Sequence, residues 1–118
     1  MENKTVNKKE QYEIILELYT GLSQNLTRIS QIVKKNKEDN NITQLAFKSD
    51  KIAAALQSCL DFENKEASKI SENLLELYRH IRVAMKLIYE NKNFDLLKSA
   101  SDVSLTLKDS WAKIRPNI

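Results

Sequence analysis

Glycine and proline each occur only once among the 118 residues, as Gly21 and Pro116. Turns, bulges and hairpins use these two residue types for backbone angles that other residues rarely adopt. A β-sandwich or β-barrel of this length would need many such turns. The scarcity therefore favours long helices joined by short polar loops, and we predict an all-α fold. The length fits a single domain of ~100–200 residues.

Apolar residues recur at helical spacing in four segments, which are residues 8–35, 42–61, 66–91 and 94–114. The spacing repeats every three to four residues, as one face of an α-helix requires. Asn93 is predicted to cap the fourth helix. Helices of similar length joined by short loops run antiparallel to their neighbours, which predicts an up-down four-helix bundle. We expect residues 1–7 to form a flexible tail and residues 8–118 a single bundle domain.

Each predicted helix has one apolar stripe that faces the core. In chain order, the predicted core residues are Tyr12, Ile15, Tyr19, Leu22, Leu26, Ile29 and Val33; Ile42, Leu45, Ile52, Ala53, Leu56, Cys59 and Leu60; Ala67, Ile70, Leu74, Leu77, Tyr78, Ile81, Met85 and Ile88; and Leu96, Ala100, Val103, Leu107, Trp111 and Ile114. Trp111 is interpreted as a packing anchor and Cys59 as a small core residue.

Further apolar residues lie off these stripes, at positions that a self-sufficient bundle would normally fill with charge. The residues predicted to bind a partner from this set are Ile14, Leu18, Phe47, Val83, Leu87, Phe94 and Leu105. We expect them to form apolar grooves for the helices of another protein. Self-association through the same stripes, or plain surface scatter of apolar residues, are the alternatives.

The sequence has too few histidine, cysteine and glycine residues for the common catalytic, metal and phosphate-binding sites. His80 and Cys59 are the only residues of their types, whereas zinc sites need several Cys or His ligands. A di-iron site in a bundle needs two Glu-x-x-His motifs, and a phosphate-binding loop needs several glycines. We therefore predict that the protein is not an enzyme and has no cofactor or metal. His80 is interpreted as a residue of the helix surface.

The charge pattern argues against a nucleic-acid partner. The formal net charge is +3, and the densest basic cluster is Lys34, Lys35 and Lys37. Such a cluster could bind phosphate, but it also suits the negative end of a helix dipole. We favour the helix-end interpretation because no aromatic residues interleave for base stacking.

The sequence also predicts where the protein resides. No stretch approaches the ~20 apolar residues that span a bilayer, and the amino terminus has no apolar run of the kind that a secretory signal contains. A lone cysteine fits a reducing compartment. We expect a soluble, cytoplasmic protein that does not insert into membranes.

Four short motifs occur in a fixed order along the predicted helices. They are Leu18-Tyr19-Thr20-Gly21-Leu22, Leu60-Asp61, Asn73-Leu74 followed by Leu77-Tyr78, and Trp111. In this order and spacing the chain resembles the FliS family of flagellar export chaperones over roughly residues 14–114. Gly21 occupies the glycine of the family's first motif, in mid-helix. A glycine there costs about 0.5–1 kcal/mol against alanine, and a close backbone approach is one physical reason to keep it.

The resemblance implies a function that composition and spacing alone do not. A FliS-like protein would bind the carboxy-terminal segment of flagellin, which is disordered when free and helical when bound. It would prevent premature polymerisation and deliver flagellin for flagellar type III secretion, with a component of the export gate as a further partner. We expect a monomer that acts without a nucleotide. The alternative is a self-associating regulatory or structural bundle with a partner other than flagellin.

Overall fold

Four α-helices make up almost all of the described chain. The structure, a computed structural model, describes the backbone of residues 8–60, 62–63 and 65–113, and the side chains of these residues except 8 and 65–67. The helices are α1 (Lys8–Lys35), α2 (Asn40–Ser58), α3 (Lys65–Asn91) and α4 (Leu97–Lys113). The predicted tail at residues 1–7, the predicted core residue Ile114 and the side chain of Ala67 lie outside the described residues.

The helices form the predicted up-down four-helix bundle. α1 packs against α2 and α4, and α3 packs against the same two helices. The start of α1 meets the end of α4, where Tyr12 stacks on Trp111. Phe47 of α2 contacts Tyr89 near the end of α3. The first contact sets α1 antiparallel to α4, and the second sets α2 antiparallel to α3. The prediction of an all-α four-helix bundle is confirmed.

Local side-chain hydrogen bonds set the boundaries that apolar spacing placed wrongly. α2 begins at Asn40 rather than 42, because the Asp39 carboxylate accepts the Asn41 backbone N–H at 2.8 Å and caps the first turn. α4 begins at Leu97 rather than 94. Asn93 does accept a backbone N–H, from Asp95 at 2.9 Å, but this closes a turn before the helix and is not the predicted cap.

The core runs through the centre of all four helices. Its buried apolar residues are Tyr19, Leu22, Leu26, Ile29, Ile42, Ala46, Ala53, Leu56, Tyr78, Ile81, Ala84, Met85, Ile88, Leu97, Ala100 and Leu107. Ser49 and Ser104 are also fully buried, and each hydroxyl donates to a backbone carbonyl of its own helix. Burial without loss of hydrogen bonds explains how these polar residues are accommodated.

Three residues predicted for the core are exposed instead. Cys59 is exposed because α2 ends at Ser58 and the helical spacing does not continue past it. Ile70 and Leu77 of α3 have 62% and 36% of their surface exposed. Spacing identifies the apolar face of a helix, but it does not show whether a neighbouring helix covers that face along its full length.

Gly21 is not at a close backbone approach, and that interpretation is wrong. A Cβ atom built on Gly21 would lie 3.7 Å from Cδ1 of Ile52, which is an ordinary van der Waals contact. The position therefore has room for alanine. The contact also shows that this face of α1 looks toward α2.

Candidate partner-binding surfaces

Four of the seven residues predicted to bind a partner are well exposed on the bundle surface. Ile14, Phe47, Val83 and Leu105 have exposed fractions of 48%, 47%, 52% and 38%. Large apolar side chains gain about 1.5–3 kcal/mol each when fully buried. These four residues therefore provide apolar area that the bundle itself does not use.

The other three residues predicted to bind a partner are half-buried, namely Leu18, Leu87 and Phe94. Leu18 and Phe94 pack against the core cluster, so the prediction that they lie off the core is wrong. Leu18 follows Ile14 by four residues, and the same face of α1 continues to Gly21, which looks toward α2. Phe94 lies in the segment before α4, where its carbonyl accepts the N–H of Leu97. Ideal helical angles misplaced it because the α-helix does not yet extend there.

The exposed residues lie on different faces and do not form one continuous groove. Val83 lines a groove between α2 and α3, and Phe47 extends it, since its ring meets that of Tyr89 edge to face at 5.5 Å. Leu105 lines a separate groove between α1 and α4 together with Arg28 and Lys108. We call these the α2–α3 groove and the α1–α4 groove.

An apolar cleft, absent from the sequence predictions, opens at the end of the bundle where α1 starts and α4 ends. This end cleft has a volume of about 220 Å³ and is lined by Ile15, Tyr19, Leu56, Cys59, Leu60, Ile70, Ser71, Leu74, Tyr78 and Trp111. All of these except Ser71 had been predicted for the core. The periodicity placed them on the correct faces, but it could not show that the helices leave a cleft between those faces.

A pair of buried tyrosines forms part of the wall of the end cleft. The hydroxyls of Tyr19 and Tyr78 hydrogen-bond to each other across the bundle. Burial raises the pKa of both hydroxyls, and the hydrogen bond with Tyr19 raises the pKa of Tyr78 further. The two hydroxyls therefore stay neutral and supply a polar contact inside a mostly apolar cleft.

Trp111 closes one side of the end cleft and is held there by Tyr12. Its indole Nε1–H donates to the Tyr12 carbonyl at 3.0 Å, while the Tyr12 hydroxyl donates to the Trp111 carbonyl at 3.1 Å. The two rings stack with centroids 5.4 Å apart. We call this reciprocal contact the Tyr12–Trp111 clasp. Trp111 is thus the packing anchor that the sequence predicted.

A charged network is built into the α2–α3 groove. Arg82 Nε donates to the Asp50 carboxylate at 2.7 Å, and a second guanidinium nitrogen of Arg82 donates to Gln57 Oε1 at 3.2 Å. The Asp50 side chain is only 15% exposed. The network fixes the spacing of α2 and α3 and so holds the groove in shape.

The single histidine forms a hydrogen bond between two helices. His80 is half-buried, with Nε2 2.8 Å from Ser99 Oγ, so it links α3 to α4 as a structural residue. Within the described ranges, no three His, Cys, Asp or Glu side chains converge as metal ligands would. Nor does any described helix combine the length and apolarity needed to cross a membrane.

A helical bundle that exposes apolar grooves and a cleft has the kind of surface that helix-in-groove recognition uses. The chain belongs to the FliS family, because the family model described as Flagellar protein FliS matches residues 1–118. This is a family of flagellar export chaperones and not of enzymes. The chain has no significant match among curated protein sequences or among solved structures.

Proposed function

We propose that this protein is a cytoplasmic chaperone specific for flagellin. It binds the carboxy-terminal helical segment of flagellin, keeps the subunit from polymerising and delivers it for flagellar type III secretion. The observation that supports this proposal most directly is the unused apolar surface of a bundle from an export-chaperone family. Val83 and Leu105 represent that surface on two different faces.

The proposed binding surface includes the residues predicted from sequence and the end cleft. Ile14, Phe47, Val83 and Leu105 offer exposed side chains, and Ile70 at the cleft is the most exposed of the large apolar residues described. A segment that contacts several faces must follow an extended path around the bundle. A disordered segment can do so, because it folds on binding and can wrap a large surface.

Such binding covers apolar surface on both the chaperone and its client. The apolar face of a polymerising helix aggregates when it is free, and the same face is covered when it lies on a groove. Each large side chain buried contributes about 1.5–3 kcal/mol before ordering costs are subtracted. A few such contacts suffice for a stable complex, and no nucleotide is needed for release.

Calorimetric titration of the purified protein with a carboxy-terminal flagellin fragment tests the proposal. The flagellin should come from the same genome, and a scrambled fragment of identical composition serves as the control. We expect saturable binding of the native fragment with a negative heat-capacity change, since apolar surface is buried. Absence of binding, together with a stable dimer in sedimentation, would instead support the self-associating bundle.

A further inference from the structure

The α2–α3 groove has an excess of positive charge along its walls. The charged residues that line it are Asp50, Arg79, Arg82 and Lys86. The single carboxylate is occupied internally, because Arg82 donates to Asp50 at 2.7 Å. Whatever docks in this groove therefore meets the two remaining cations.

Those two cations are available to a partner. Arg79 lies 3.8 Å from Glu76, but both side chains are mostly exposed, at 61% and 77%, so this ion pair is weak and screened by salt. Lys86 is exposed on the same helix. Neither side chain needs to leave a buried partner in order to meet a ligand.

Arg79 and Lys86 lie on either side of an apolar contact site on α3. Arg79, Val83 and Lys86 occupy positions i, i+4 and i+7 and therefore share one face of α3. The two cations are roughly 10 Å apart along the helix axis, with Val83 between them. Since Val83 is 52% exposed, an apolar side chain can pack on it.

The far end of the groove continues this pattern. The exposed Phe47 ring packs against Tyr89, and the Lys51 ammonium lies 4.9 Å from the Phe47 centroid. Apolar contact sites and cations therefore occur together along the groove, and the acidic Glu90 lies near Tyr89 at its far end. The geometry and charge of the groove complement a helix with one apolar stripe and acidic residues beside it.

We propose that the α2–α3 groove binds an amphipathic helix of the client that carries Asp or Glu about one turn before and one turn after an apolar anchor. This inference rests on the proposed function, because it specifies the chemistry of the client segment that docks at this face. The anchor packs on Val83, and the carboxylates meet Arg79 and Lys86. Apolar burial supplies affinity, while the cations at the rim speed association and reject segments with basic flanks.

The α1–α4 groove provides a matched control on the same molecule. Arg28 and Lys108 accompany Leu105 there, but the rest of the lining consists of uncharged amides and hydroxyls. Reversing Arg28 and Lys108 changes the net charge as much as reversing Arg79 and Lys86 does. A comparison of the two double variants separates a local effect from general attraction.

The probes are two synthetic helical peptides with the same apolar stripe, one flanked by Glu and the other by Lys at the spacing given above. Binding is followed by fluorescence anisotropy at ~0.01 M and ~0.15 M salt, where the Debye length falls from roughly 30 Å to roughly 8 Å. We expect wild type to prefer the Glu peptide by about tenfold at low salt. Arg79→Glu/Lys86→Glu should invert this preference, whereas Arg28→Glu/Lys108→Glu should retain it.

Equal binding of the two peptides by wild type, or the same loss in both double variants, would overturn the inference. Thermal melts of each variant establish that it is folded, which is expected because Arg28, Arg79 and Lys86 are exposed and Lys108 is only half-buried.

A third titration, with the flagellin fragment, separates this inference from the proposed function. If wild type binds the fragment and Arg79→Glu/Lys86→Glu binds it equally well, the charge inference is wrong and the chaperone function stands. If the Glu peptide binds through Arg79 and Lys86 but the flagellin fragment does not bind at all, the groove has the inferred specificity and flagellin is not the client.

Discussion

Tyr12 and Trp111 exchange hydrogen bonds with each other's backbone although they lie 99 positions apart in the sequence. Each side chain donates to the main-chain carbonyl of the other residue, at 3.1 and 3.0 Å, and the rings stack. The Trp111 ring also meets Tyr19 edge to face, with centroids 6.1 Å apart. The clasp therefore joins the start of α1 to the end of α4 beside the end cleft.

Removing one hydrogen bond of the clasp should have a modest effect, and removing the ring a larger one. Tyr12→Phe keeps the stacking and loses only the donor to Trp111, which should lower the free energy of unfolding by about 0.5–1.5 kcal/mol. Tyr12→Ala also removes the half-buried ring and should cost about 1 kcal/mol more, since aromatic pairs contribute beyond their buried area. Urea unfolding followed by circular dichroism measures both values.

A double-mutant cycle with Trp111→Phe tests whether the two residues act together. Trp111→Phe removes the indole donor to the Tyr12 carbonyl but keeps an aromatic ring. The losses from Tyr12→Ala and Trp111→Phe should not add, because Tyr12→Ala removes the ring that holds residue 111 in place and so already weakens the hydrogen bond that Trp111→Phe removes. Strict additivity would mean that the clasp contributes no coupled stability.

The clasp also shows what the sequence could and could not predict. Helical spacing placed both Tyr12 and Trp111 on inward faces, and scarce glycine and proline predicted the all-α bundle. The pairing of residues 99 positions apart depends on how far each helix extends, and spacing does not contain that information. For the same reason, Ile70 and Leu77 were placed in the core although the structure exposes them.

The partner-binding surfaces were predictable only in part. Val83 was predicted to lie opposite the core stripe of α3 and is 52% exposed, whereas Leu87, predicted for the same side of the helix, is half-buried. Leu18 lies near the border between core and surface, where a small rotation of the helix decides its burial. Phe94 was predicted to lie opposite the core stripe, but it precedes the start of α4 at Leu97, so the helical angle does not apply to it. The end cleft is a space between helices, and no single helical pattern contains a signal for it.

The buried Tyr19–Tyr78 pair should make the protein sensitive to alkaline pH. An unfolded tyrosine has a pKa of about 10, and burial raises the pKa of both hydroxyls in the folded protein. Above pH 10 the unfolded chain therefore loses protons that the folded chain keeps. Stability is fully present below about pH 10 and falls as pH rises above it, by up to about 1.4 kcal/mol per pH unit for each tyrosine.

The double variant Tyr19→Phe/Tyr78→Phe serves as the control for this pH dependence. It removes both hydrogen-bonding partners together, so no buried hydroxyl is left without a partner and stability at pH 8 should change little. Urea unfolding at pH 8, 10 and 11 should give a shallower decline for the variant than for wild type. Parallel declines would show that other groups, such as lysines, account for the alkaline loss.

Gly21→Ala should stabilise the protein by about 0.5–1 kcal/mol, because alanine restricts the unfolded chain more than glycine does. The new methyl group meets only Cδ1 of Ile52, at 3.7 Å, which is a comfortable contact. Chemical denaturation of the variant and wild type under identical conditions measures the difference. Destabilisation by Gly21→Ala would instead mean that α1 and α2 approach more closely than this distance indicates.

Glutamate substitutions at exposed apolar residues should weaken client binding and leave the fold intact. Val83→Glu, Leu105→Glu and Ile70→Glu each place a charge on one proposed surface: the α2–α3 groove, the α1–α4 groove and the end cleft. Because Val83 and Ile70 are 52% and 62% exposed, their substitution should change the free energy of unfolding by no more than about 0.5 kcal/mol. Leu105 is only 38% exposed, so Leu105→Glu should cost more, about 1 kcal/mol, through lost apolar burial. Affinity for the flagellin fragment should fall about tenfold or more wherever the client buries the residue, since a buried unpaired carboxylate is costly.

The buried Ile81→Glu variant is the contrasting control and should unfold the bundle. Unchanged affinity in all three surface variants would show that the client binds elsewhere, whereas loss of affinity only in Ile70→Glu would assign the primary contact to the end cleft.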